Sequence, residues 1–377
     1  MDRRSFLRSG AVGGAAAAAA VVISPYDALA APAVVGPGPY GALRTADTNG
    51  IQLPAGFSSR VVARSGQRVG STGYTWHSNP DGGACFPAAA GGWVYVSNSE
   101  STSGGASALT FSSAGTVTAA YRILSGTTRN CAGGPTPWGT WLSCEETSNG
   151  RVWECNPLAA GNGTVRSALG RFNHEAVAVD PVRRHLYLTE DAPDGRLYRF
   201  RPSAYPDLTS GVLEVAKVTN GAVTWIGPVS PTVTQTSSNR PAGSTAFNGG
   251  EGAWYDRDCV YFTTKGDNRV WKLNCATQTI EVIYSPTVTP GGALSGVDNV
   301  TVSAGGDVYV AEDGGNMELV IISREGQVAP FLRITGQSSS EITGPAFSPA
   351  GNRLYLSSQR GTASAGITYE ITGPFRP

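Results

Sequence analysis

Six segments of the chain share one pattern: a short strand headed by a polar residue, a turn, and a second strand that ends in another polar residue. The pairs are Gly83 with Asn98, Cys131 with Glu145, Glu175 with Glu190, Glu251 with Lys265, Asp298 with Glu312, and Thr343 with Gln359. In an antiparallel hairpin the head of the first strand lies beside the tail of the second, so each pair is expected to meet at one end of its repeat. Carboxylates gathered in this way repel one another and are costly to desolvate, so the arrangement needs bound cations, basic partners or protonated acids. A single Asp or Glu would simply cap a strand end in solvent; acids at matched positions in several repeats predict metal binding. Only His77, His174 and His185 are present, too few for a multi-histidine zinc site. Neither a Gly-x-Ser-x-Gly elbow nor a Walker loop occurs. The donors left are carboxylates, amides and one candidate thiolate, Cys131. Hard oxygens suit calcium, whereas a thiolate among carboxylates suits a more Lewis-acidic metal such as iron.

The elements that must position these residues are visible in the second strands: Trp93-Val-Tyr-Val, Thr140-Trp-Leu-Ser, His185-Leu-Tyr-Leu, Cys259-Val-Tyr-Phe, Asp307-Val-Tyr-Val and Arg353-Leu-Tyr-Leu. They recur roughly every 46 to 48 residues, with one longer gap before Cys259, which is the spacing of propeller blades. The expected fold is therefore an all-β, six-bladed β-propeller with a metal site at one mouth of its central channel. Residues 31–377 are expected to form that single domain. The segment at about 202–246, rich in Ser, Thr and Pro, reads as a surface insertion between the third and fourth blades. Trp138, Trp141 and the tyrosines of the second strands are expected to be core, and Asp180 and Asp256 to form turns at the far end of their hairpins.

The 377 residues carry no formal net charge. No basic run or aromatic-interleaved patch points to nucleic acid or an anionic membrane. The N-terminus, with Arg3-Arg4-Ser5-Phe6-Leu7, a modest Ala/Val run and Ala28-Leu29-Ala30, resembles a twin-arginine export signal over residues 1–30. The export machinery is then a partner, no stable membrane span remains after cleavage, and the destination is periplasmic or extracellular. Six cysteines fit an oxidising compartment. Cys144 and Cys155 are symmetric about Asn149-Gly150, and Cys259 and Cys275 about Asp267, so both pairs are candidate cross-strand disulfides. Cys85 and Cys131 remain, either as a third bridge or as a buried free thiol and a thiolate ligand; spacing does not choose between these.

The run Asn130-Cys-Ala-Gly-Gly-Pro-Thr-Pro-Trp-Gly-Thr-Trp-Leu-Ser-Cys-Glu-Glu146, with Arg171-Phe-Asn-His-Glu-Ala-Val-Ala-Val-Asp-Pro181 and Tyr187-Leu-Thr-Glu-Asp191, closely resembles the PhoX-type alkaline phosphatase family over nearly the whole mature chain. The resemblance implies iron and calcium at the channel mouth and a small-molecule phosphate ester as substrate. It matches Cys131 to the family's iron-ligating cysteine, and Glu175, Glu190, Glu251 and Glu312 to acidic positions suited to either ion. Ser97-Asn98-Ser99-Glu100 resembles the family's Asn-His-Glu tail of the first blade, with Ser in place of His, and adds Glu100 to the ligands. Glu145 and Asp298 join them as members of the pairs. The last blade ends in Thr343 and Gln359 instead of acids, so the metals are expected off-centre, with substrate approaching from the side of Asn98 and Gln359. Arg129 and Arg360 are the candidate phosphate clamps, since a guanidinium binds two oxygens at once. Lys265, opposite Glu251, is a third candidate or a structural ion pair. Two other readings stand beside hydrolysis of phosphate esters. One is a calcium-dependent lactonase or esterase using the amides of Asn98, Asn130 and Asn299; the other is a non-catalytic, calcium-stabilised binding propeller.

Overall fold

A computed structural model describes residues 32–363 and 365–377, so the expected export signal lies outside the described residues. Two short strands, β1 (Val34–Val35) and β2 (Ile51–Gln52), and the longer β3 (Ser58–Arg64) precede the first meander. That meander is β4 (Pro80–Pro87), β5 (Trp93–Ser99), β6 (Gly105–Phe111) and β7 (Val117–Leu124). The second is β8 (Asn130–Pro135), β9 (Trp141–Glu145), β10 (Val152–Cys155) and β11 (Thr164–Val165). Next come β12 (His174–Asp180), β13 (His185–Glu190), β14 (Leu197–Ala204), β15 (Asp207–Thr219) and β16 (Ala222–Val229), followed by β17 (Gly250–Asp256), β18 (Cys259–Thr264), β19 (Arg269–Asn274) and β20 (Thr279–Tyr284). The last two meanders are β21 (Val297–Val302), β22 (Val308–Glu312), β23 (Glu318–Ile322) and β24 (Gln327–Ile334), then β25 (Ile342–Phe347), β26 (Arg353–Thr362) and β27 (Ala365–Thr372).

The architecture is an all-β, propeller-like ring. Hydrogen bonding gives five sheets among the described residues, because β12–β16 and β17–β20 join edge to edge through the single pair Ala222 and Thr279 into a nine-stranded sheet. The inner strands β4, β8, β12, β17, β21 and β25 pack each against the next, and β25 packs against β4. The N-terminal β3 completes the last meander by pairing with β27, so the two ends of the chain close the ring. Residues 202–246 hold the end of β14 and all of β15 and β16, which extend the third meander; the part beyond Val229 runs outside strands and returns to β17.

Period-two alternation explains where the core sits. One face of each sheet packs on one neighbour and the other face on the next, so the second strands are buried on both sides. Tyr95, Trp141, Tyr187, Tyr309 and Tyr355 are all buried there, as core, whereas Tyr261 and Trp138 are only partly buried and pack against it. At some positions neighbouring inner strands approach so closely that only glycine fits. A Cβ on Gly134 would sit 1.7 Å from the Val177 carbonyl oxygen, and one on Gly82 would sit 2.4 Å from the Ala132 Cα. Glycine at these positions lets neighbouring inner strands pack backbone to backbone around the channel.

The expected disulfides are absent: all six cysteines are free. In the β9–β10 hairpin Cys144 lies opposite Val152 and Cys155 opposite Trp141, so the two thiols are offset along the ladder. Cys259 lies opposite Asn274, one residue short of Cys275. Symmetry about a turn residue does not guarantee pairing, because turn length sets the register.

Candidate functional site

Each inner strand breaks register with its partner at the same place. In the first hairpin Pro80 lies opposite Ser99 and Gly83 opposite Ser97, three residues against two. The same bulge falls between Asn130 and Gly133, His174 and Val177, Gly250 and Ala253, Val297 and Val300, and Thr343 and Ala346. A bulge bends its strand and re-aims the extra residue. The first bulge residues are Asp81, Cys131, Glu175, Glu251, Asp298 and Gly344, and the five with side chains all line one cavity of about 150 Å³. From the second strands come the residues just past each tail, Glu100, Glu146, Asp191, Lys265 and Asp313, and the last repeat adds Glu341 and Arg360. Nine carboxylates and one thiol thus face two cations.

Of the residues singled out from sequence, Cys131, Glu100, Glu175, Glu251, Asp298, Lys265 and Arg360 line this basin. Arg129 stands at its edge: its carbonyl accepts from the Glu146 N–H, and its exposed side chain makes no ion pair among the described residues. Glu145, Glu190 and Glu312 turn away. Each accepts from the backbone N–H six residues on, Arg151, Arg196 and Glu318 respectively, and so clamps the loop into the third strand. Glu190 also pairs with the buried guanidinium of Arg240. Neighbouring side chains point to opposite sides of an extended backbone, so when one of two adjacent acids holds the hairpin, its neighbour faces the basin. The doubled acids Glu145-Glu146, Glu190-Asp191 and Glu312-Asp313 are the signal that could have revealed this. Asp81 and Glu341 were also missed; Asp81 precedes a pair of small residues, Gly82-Gly83, as Cys131 precedes Ala132-Gly133.

The amides are not where a sequence-level pairing would put them. Asn98 is buried between repeats, its Nδ2 donating to the carbonyls of Cys131 at 3.0 Å and Ala132 at 2.7 Å. Asn130 bonds Thr127 and Ser143, and Asn299 accepts from the Gly344 N–H. Gln359 is buried, and its Nε2 donates to Asp81 at 2.6 Å and Glu100 at 2.9 Å, so it ties two basin acids together. With the three asparagines engaged in this way, the lactonase reading loses its amide ligands.

Three sets of potential ligand atoms lie within 4.8 Å of one another: Cys131 with Glu146 and Glu175, Asp81 with Glu100 and Glu341, and Glu175 with Glu251 and Asp298. Glu175 belongs to two of them. It is 1 % exposed, and neither carboxylate oxygen accepts a hydrogen bond among the described residues. Burial, then Glu251 and Glu146, push its pKa well above the usual carboxylate range. Burial and neighbouring acids do the same to Asp81 and Glu251 and raise the Cys131 thiol. Glu146 is pushed up to about 7 by burial, Asp191 and Glu100. Asp298 rises to about 7 through burial, although Lys265 opposes the shift, and Glu341 rises to about 10 through burial, Asp298 and Asp81. Lys265 Nζ lies 2.7 Å from Glu251, 3.8 Å from Asp191 and 3.9 Å from Asp313, while Arg360 Nη2 lies 2.9 Å from Glu341. Two cations cannot neutralise such a set. Orphaned buried oxygens and a mixed oxygen and sulfur donor set are what bound metal ions satisfy.

This arrangement fixes the pH dependence of the metal-free protein. A carboxyl whose folded pKa exceeds its unfolded value stabilises the fold below the unfolded pKa, and that contribution is lost as pH rises through the folded one. In chelator the unfolding temperature is therefore expected to fall as pH rises from about 5 through 7, where Glu146 and Asp298 ionise. It should keep falling toward 10, where Glu341 follows. Thermal melts across that range check the sign, and added calcium should flatten the slope.

A family model described as alkaline phosphatase PhoX matches residues 103–281 and 271–361. By sequence, no curated protein matches the chain. Among solved structures, PhoX of Pseudomonas fluorescens in complex with vanadate, a transition state analogue, superposes with a TM-score of 0.72 at 17% identity, covering 91% of this chain and 98% of that one. A protein of unknown function from Bacteroides thetaiotaomicron gives a TM-score of 0.51 at 11% identity over 84% of this chain and 76% of that one. At these identities the likeness concerns the fold. Among the described residues no helix is long and apolar enough to cross a membrane.

Proposed function

Since this chain belongs to the alkaline phosphatase PhoX family and is a phosphoric-ester hydrolase, we propose that it cleaves phosphate esters in the acidic basin, with metal ions as its cofactors. The observation that carries this is Glu175, buried between two sets of potential ligands with both oxygens unpartnered among the described residues. Cys131, Glu146 and Glu175 form the set suited to iron, whereas Asp81, Glu100 and Glu341 offer only hard oxygens and suit calcium. Glu175, Glu251 and Asp298 complete the ligands. Bound metal ions supply neutralisation of phosphate oxygens and activation of water near neutral pH. The chain's own cations orient the substrate. Arg360, half-exposed and paired among the described residues with Glu341, can turn its guanidinium onto two phosphate oxygens. Arg129, exposed beside Glu146, meets the incoming anion. Lys265, held by Glu251, keeps that carboxylate in place and offsets its charge. The basin is the mouth at which ester enters and alcohol leaves.

We read the nine-stranded sheet as two blades joined at one pair, which makes the ring a six-bladed propeller; the six matching bulges support that count. We read residues 1–30 as a twin-arginine signal that delivers the protein to a periplasmic or extracellular site, leaving residues 31–377 as one domain. The test is to purify the mature protein, measure its metals, and assay an aryl phosphate and a lactone with and without chelator. Calcium together with iron, and phosphate turnover lost on chelation, is the expected result. Calcium alone with lactone turnover would sink the proposal.

A further inference from the structure

The bulge that aims each acid into the basin also removes its main-chain carbonyl from the regular ladder. A buried carbonyl needs a partner. For Glu251 and Asp298 that partner is a side chain of the preceding repeat, at the position just before the second strand's tail. Thr189 Oγ1 donates to the Glu251 carbonyl at 2.5 Å, and Thr263 Oγ1 donates to that of Asp298. Thr189 Oγ1 also accepts from the N–H of Ala176, the residue after Glu175, at 3.0 Å. Both threonines are buried. Thr189 thus ties the backbone beside Glu175 to that of Glu251, and Thr263, whose Oγ1 also lies 3.5 Å from the Gly252 carbonyl beside Glu251, reaches that of Asp298; the three carboxylates lie within 4.8 Å of one another.

We infer that Thr189 and Thr263 are positioning residues that set the spacing of the Glu175, Glu251 and Asp298 carboxylates, and through it the affinity of the basin for a divalent cation. Neither hydroxyl reaches the basin. Each acts through a carbonyl one residue's length from the carboxylate that matters. Without the bond, the bulge is free to rotate its carbonyl toward another donor, and the attached carboxylate turns with it. The inference rests on the basin holding cations, as proposed above.

Thr189→Val and Thr263→Val keep the branched shape and remove the donor. Thr289→Val is the control: Thr289 is equally buried and donates to a main-chain carbonyl, that of Ala33 at 2.8 Å, away from the basin. Calcium titration of stripped protein and steady-state hydrolysis of an aryl phosphate are the readouts. The two positioning variants should bind calcium about 10–100-fold more weakly and lose kcat, with KM little changed. Thr289→Val should leave both readouts at the wild-type level, and Thr189→Ser and Thr263→Ser should restore them. Should a Val variant fail to fold, Thr→Ala replaces it in the same comparison. Wild-type calcium affinity and kcat in the Val variants, or an equal loss in Thr289→Val, would overturn the inference. A wild-type protein that neither binds calcium nor turns over would instead overturn the proposed function.

Discussion

Replacing Glu175 by Gln is expected to lower kcat/KM for phosphate esters on the order of 10²–10³-fold, while making the metal-stripped protein more stable. The two effects have opposite signs if, as proposed, the residue serves the metals and not the fold. Its carboxylate belongs to two sets of potential ligands, so a neutral side chain is expected to weaken both. In the stripped protein the same carboxylate is buried, unpartnered and surrounded by like charge, and its ionisation opposes folding. A Gln amide finds acceptors in that setting, as Gln359 does by donating to both Asp81 and Glu100. The gain in unfolding temperature should therefore widen with pH, as wild-type Glu175 is forced to ionise. Kinetics with metals restored, and melts in chelator at two pH values, measure the pair of effects. Retained activity, or a stripped variant less stable than stripped wild type, would show that Glu175 is structural.

The adjacent acids of the second repeat provide the second large contrast. Glu146→Gln should cost about 10–100-fold in activity, because Glu146 shares a ligand set with Cys131 and Glu175. Glu145→Ala should leave activity near wild type but destabilise by about 1–3 kcal/mol, because the N–H groups of Thr128 and Arg151 lose their acceptor. Urea titration and kinetics on both variants decide the matter. If the roles proved exchanged, the register assigned to this hairpin would be wrong. The comparison extends to Glu190 and Asp191, where losing the Glu190 carboxylate would leave the buried Arg240 guanidinium without its main partner.

Much of the molecule could be read before it was seen. Repeated Val-Tyr-Val and Leu-Tyr-Leu strands announced buried second strands, and the tyrosines are where that pattern puts them. Cys131, Glu175, Glu251 and Asp298 were legible as strand heads, and Lys265 as a tail, since each sits where strand and turn signals meet. What failed was the choice between neighbours. Spacing along the strands points to Glu145, Glu190 and Glu312 as ligands, yet they hold hairpins, and Glu146, Asp191 and Asp313 line the basin in their place. The disulfide pairings failed for the same reason, since an offset along the ladder separates Cys144 from Cys155.

The amino-acid sequence by itself determined the strand period, the recurrence of acids at one end of the hairpins, and the membership of a phosphatase family, because these depend on residue type and spacing along the chain. Only the tertiary structure decided which acid of each pair faces the mouth, that Asn98 and Gln359 are interior ties, and that Gly344 leaves the sixth vertex without a side chain. A bulge adds one residue to a ladder of period two, and that single step exchanges inside for outside. The bulge recurs in all six inner strands, and bringing those strands side by side into one basin is a property of the closed ring that no single hairpin contains.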